Sequence, residues 1–133
     1  MKLSHVVVLT VLCATALPAI AQDMSREGMG NYIKFFRSVR TPAVLEVCSS
    51  VVKDPAALAA AADAWLKANS KQIALGKEYS LAVGSTEETL VKDSADMQET
   101  IKKEFAEYSQ AKKTEFCESA IKSYQLYKTR ALT

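Results

Sequence analysis

Few side chains in this sequence could carry chemistry, and Cys48 and Cys117 come first among them. They stand 69 positions apart, too far for the close-spaced pair of a thioredoxin-like motif, and two thiolates alone do not complete a zinc site. In an oxidising compartment such a pair reads as a structural disulfide, with two buried free thiols as the competing reading. Closing so long a loop stabilises a small domain by about 4 kcal/mol in the chain-entropy model, comparable to its whole net stability.

Ser-x-x-Lys occurs at Ser50/Lys53, Ser109/Lys112 and Ser119/Lys122. In β-lactamase-like enzymes that spacing sets an amine one helical turn from a nucleophilic serine, but the companion Ser-Asp-Asn and Lys-Thr-Gly motifs are missing. Solvated helix surface is the better reading. The acid pairs Asp93/Asp96 and Glu87/Glu88 lack a glycosidase-sized scaffold. Asp63/Lys67, Glu88/Lys92, Glu99/Lys103 and Glu118/Lys122 instead place an acid four residues before a base, the order that supports an exposed helix. No calcium loop is present, and Met24, Met29 and Met97 are too scattered for a thioether copper site. No cofactor or metal is expected.

The amino-terminal residues narrow the chemistry further. Lys2 precedes an uncharged run, Leu3 to Ala21, that ends in Ala19-Ile20-Ala21-Gln22. A positive start, a short apolar stretch and an Ala-x-Ala ending make up a cleaved secretory signal, too short for a stable membrane span. Residues 1–21 are therefore expected to be removed between Ala21 and Gln22, leaving residues 22–133 as a single helical domain. Cleavage removes His5, the only histidine, together with Cys13. Ser-His-Asp, Cys-His and imidazole metal sites go with it. The expected location is exported: periplasmic in a bacterium, otherwise extracellular.

These residues must be positioned by helices, because no stretch alternates with period two and the Val51-Val52 pair is too short for a strand. Thr41-Pro42, Asp54-Pro55 and Gly84-Ser85 each join a cap-like residue to a new apolar pattern. The first predicted helix, Ser25 to Val39, aligns Met29, Tyr32, Ile33, Phe36 and Val39, with Lys34 and Arg37 turned elsewhere. The second runs from Pro42 to about Val52 and turns Cys48 inward. Residues 55–83 read as one helix or as two with a capping-box-like restart at Asn69. Gly84 suits a left-handed stop, and Ser85-Thr86-Glu87-Glu88 supplies both members of a capping box. Beyond it Leu90, Met97, Ile101, Phe105 and Tyr108, then Phe116, Cys117, Ile121 and Tyr124, keep a helical period, read as two helices with a turn in 109–114 and Thr114 as cap, or as one bent helix. The expected fold is all-α, a small four- or five-helix bundle with one long-range disulfide from the second helix to the last.

After signal removal 16 Lys and Arg face 15 Asp and Glu, a mixed balance that does not suit nucleic acid. No apolar run of about 18 residues remains for a permanent membrane span. The chain is expected to bind rather than catalyse. The first reading is a protein-binding module, such as an inhibitor, an immunity protein or an envelope adaptor, whose partner is another envelope or secreted protein. The second is a small-ligand carrier with Trp65, Asn69 and Tyr108 lining a pocket between helices. Tyr108, Tyr124 and Tyr127 crowd the carboxy-terminal part, as core packing or as a recognition surface.

Overall fold

The computed structural model describes residues 26–126. The expected Ala21–Gln22 junction and Tyr127 lie outside them. Within them the chain forms five helices and no strand: α1 (Arg26–Cys48), α2 (Pro55–Ala68), α3 (Ser70–Ala82), α4 (Glu87–Glu107) and α5 (Gln110–Gln125). The fold is the expected small all-helical bundle with a long-range disulfide, Cys48–Cys117.

Thr41-Pro42 is not a boundary. α1 continues through Pro42 to Cys48, and the predicted second helix is the last third of the first. A proline inside a helix removes one amide and crowds the preceding turn. What outweighs this is a continuous buried face, Phe35, Thr41, Ala43, Val44 and Cys48, while Pro42 itself stays exposed. The Thr41 hydroxyl also donates to the Arg37 carbonyl at 2.9 Å, tying the turn before the proline.

The other proline behaves as read: Asp54 caps α2 by accepting the Ala57 amide at 2.9 Å, with Pro55 at the first helical position. The chain does break at Asn69, but not with a capping box. The Asn69 side chain donates back to the Trp65 carbonyl at 2.8 Å and caps nothing in α3. Gly84 takes φ +112°. Around it the Ser85 amide reaches the Ser80 carbonyl and the Gly84 amide reaches that of Leu81, closing a six-residue stop that only glycine enters without strain.

Two caps sit elsewhere than expected. α4 is capped by Thr86, which exchanges hydrogen bonds with Thr89 in place of the Ser85/Glu88 pair. The last turn lies at Tyr108–Ser109, so Ser109, not Thr114, caps α5 by accepting the Lys112 amide. At α4 the hydroxyl nearer the apolar run takes the cap, whereas at α5 the cap falls five residues before the expected one, so that Thr114 lies inside the helix and its hydroxyl donates to the Gln110 carbonyl. Of the acid-before-base pairs, Asp63–Lys67 forms at 2.8 Å. Lys92 turns forward to Asp96, and Lys102 rather than Lys103 meets Glu99.

α1 is the spine. It lies along α3 and α4, touches α5 more sparingly, and α2 covers α5. Gly76 on α3 permits the closest approach: a Cβ there would strike the Asn31 carbonyl and come within 2.8 Å of the Phe35 Cβ. The core gathers Val44, Cys48, Leu58, Ala62, Trp65, Phe105, Cys117 and Tyr124 from four helices around the disulfide. Because α1 absorbs the predicted second helix, the bridge joins the first helix to the last. No helix among the described residues is long and apolar enough to cross a membrane.

Candidate functional site: a groove between α1 and α5

Two contacts set α1 against α5. The disulfide joins Cys48 to Cys117 with Cα atoms 5.6 Å apart. Seven residues back along α1 and seven forward along α5, the Thr41 and Tyr124 hydroxyls meet at 2.9 Å in the interior. The helices are thus antiparallel, and beside this seam they leave a groove of about 520 Å³. Tyr32, Ile33, Phe36 and Val44 of α1 and Phe116, Ala120 and Tyr124 of α5 make it mainly apolar. Arg37, Arg40, Ser119 and Ser123 are its polar members.

Arg37 was expected to turn away from the apolar stripe; it does not. Its guanidinium lies 5.0 Å from the Trp65 ring centroid and 5.2 Å from that of Tyr124, two cation–π contacts at the floor of the groove. The reason is length: an arginine at the edge of a buried stripe lays its methylenes over apolar neighbours and carries its head where rings accept it. Burial pulls the Arg37 pKa below its ordinary value, Tyr124 opposes this, and the like charge of Arg40 adds to the drop. No carboxylate lines the groove, and neither arginine has an ion pair among the described residues. The site is therefore an apolar trough with positive charge at its centre and no internal counter-charge.

The pocket residues expected from the sequence fall elsewhere. Trp65 is 3% and Asn69 7% exposed; they stand one turn apart, within α2 and at its carboxy-terminal cap, held together by the Asn69 side chain on the Trp65 carbonyl. Trp65 packs edge-on to Tyr124 at 5.9 Å and lies behind the groove, meeting it through Tyr124 and Arg37. Tyr108 belongs to another cluster, with Phe105 at 6.0 Å, Phe116 at 6.2 Å and the Lys112 ammonium 4.0 Å above its ring. None of the three lines the groove. Of the Ser-x-x-Lys pairs, Ser109/Lys112 is the α5 cap and Ser119 stands on the groove wall.

The residues missed were Arg37 and Arg40. Their signal was present: Ile33, Arg37, Arg40 and Val44 are spaced four, three and four, a single helical face. It was obscured by treating residues 25–39 and 42–52 as separate helices, which cuts that face in two. No family model, curated protein or solved structure matches this chain.

Proposed function

We propose that this is an exported, non-catalytic binding protein that uses the α1–α5 groove to hold a segment of another envelope or secreted protein, as an inhibitor, immunity protein or envelope adaptor does. The observation that carries the reading is the groove itself, whose apolar walls surround two arginines with no carboxylate facing them. Ile33, 59% exposed on its rim, extends the apolar surface outward, and exposed apolar area framed by polar residues is a common mark of recognition. Export is supported by the amino-terminal signal pattern and by the Cys48–Cys117 disulfide, since such bonds form and persist mainly in oxidising surroundings. Binding without catalysis is supported by the loss of the only histidine with the signal.

A second reading, the small-ligand carrier, is favoured by one observation. A volume of about 520 Å³ falls within the range of roughly 300–1,000 Å³ usual for small-molecule sites. Native mass spectrometry of the protein purified gently from its host separates the two. The protein-binding reading predicts a chain beginning at Gln22 and joined to a second polypeptide. A small-molecule adduct transfers the groove to the carrier reading, and a chain that keeps residues 1–21 contradicts export by cleavage.

A further inference from the structure

Along the length of the groove the arginines stand in the middle, between apolar residues. Along α1 the lining passes from Tyr32, Ile33 and Phe36 to Arg37 and Arg40, and then to Val44. α5 runs antiparallel, so Phe116 falls beside the Val44 end. The surface is apolar, then cationic, then apolar, over the stretch from Ile33 to Val44, roughly 16 Å of helix. Arg37 and Arg40 meet no carboxylate among the described residues, and unlike the other unpaired cations they stand side by side in an apolar groove. Burial and mutual repulsion already press on the charge of Arg37, and an incoming carboxylate relieves both the missing counter-charge and the repulsion.

The walls of the groove are two helices whose main-chain groups are bonded within themselves. They offer no sheet edge for an extended strand, but their ridges suit a third helix laid alongside. Resting on the proposal that the groove receives a polypeptide, we infer that its occupant is an amphipathic helix in which an Asp or Glu lies between apolar residues three or four positions away on either side. The carboxylate pairs with Arg37 and Arg40, one apolar residue packs on Ile33 and Phe36, and the other packs on Val44 and Phe116. Guanidinium–carboxylate pairs fix position by their fork geometry, so the acid sets the register and the apolar contacts supply area.

The probe is a random 16-residue peptide library displayed on phage and selected on the mature, oxidised protein. Recovered peptides are then synthesised with a fluorophore and titrated by anisotropy. The expected winners carry the apolar–acid–apolar spacing. Changing their acid to the amide weakens binding about tenfold, the scale of one charge-assisted hydrogen bond, and Arg40→Gln weakens the parent peptide equally while leaving the amide peptide unchanged. Arg40 is exposed and lies outside the buried core, so the variant retains the fold, which circular dichroism checks. Winners that lack an acid, or that ignore Arg40→Gln yet are lost on Ile33→Glu, overturn the inference and leave the groove as a polypeptide site. A library that yields no winner overturns the inference and the protein-binding reading together; in that case saturable binding of decanoate moves the groove to the carrier reading.

Discussion

The Thr41–Tyr124 contact has a direction that the hydroxyls themselves determine. Thr41 has one hydroxyl proton and donates it to the Arg37 carbonyl, so Tyr124 must be the donor across the 2.9 Å contact. Thr41→Val then leaves a buried tyrosine hydroxyl without an acceptor and is expected to cost about 1–3 kcal/mol, whereas Tyr124→Phe removes a donor that Thr41 does not need and costs less. Chemical denaturation of the two variants checks the order; the reverse order would mean that Thr41 is the donor. Gly76 is as direct a case: Gly76→Ala forces a Cβ into the Asn31 carbonyl, and overpacking of this kind costs about 1–3 kcal/mol. The sequence carries a sign of this close approach, since an interior glycine is otherwise unfavourable in a helix. Arg37 was not, because whether an arginine beside an apolar stripe folds inward depends on the rings that other helices bring to it.

At the scale of the helices, the sequence showed punctuation well and continuity badly. Asp54-Pro55 and Gly84 each have one local solution, a side-chain cap and a left-handed residue, so their neighbours alone decide them. Pro42 has two, helix start or helix interior, and the choice falls to the packing of Thr41, Ala43 and Val44. Pro42→Ala is accordingly expected to stabilise the protein by about 1 kcal/mol or more, since the exposed ring is replaced by an amide that the Ser38 carbonyl can accept. A lower melting temperature for that variant would mean that the proline is needed where it stands. The α4–α5 corner allows a paired comparison. Ser109→Ala loses the cap and should cost about 1 kcal/mol, while Thr114→Ala, whose hydroxyl bonds only within α5, should stay within about 0.5 kcal/mol of the parent.

Across the whole molecule, the disulfide and a surface bridge hold α1 to its neighbours. Cys48→Ala and Cys117→Ala are expected to destabilise equally, each by about 4 kcal/mol, and a reductant should do the same to the parent and nothing further to either variant. Lys102 of α4 meets Glu46 of α1 at 2.8 Å and Glu99 at 3.4 Å. The hydrogen bond to Glu46 raises its pKa above the ordinary 10.5. A raised lysine contributes stability that is complete below the unfolded value and is lost as pH climbs through the folded one. Lys102→Gln should therefore lower the melting temperature at neutral pH, with the gap to the parent closing only above about pH 10.5. The groove follows from the same architecture: α1 leans on α3 and α4, meets α5 at the bridge and at Tyr124, and among the described residues leaves open the face where Arg37 and Arg40 stand. The decisive measurement is amide hydrogen exchange on the protein as purified from its host, compared with the same material unfolded, stripped of any occupant and refolded with its disulfide intact. The account predicts extra protection in the host material confined to residues 32–44 and 116–124, the two walls of the groove; protection that is identical in the two samples, or that maps to the outer face of α4, would contradict it.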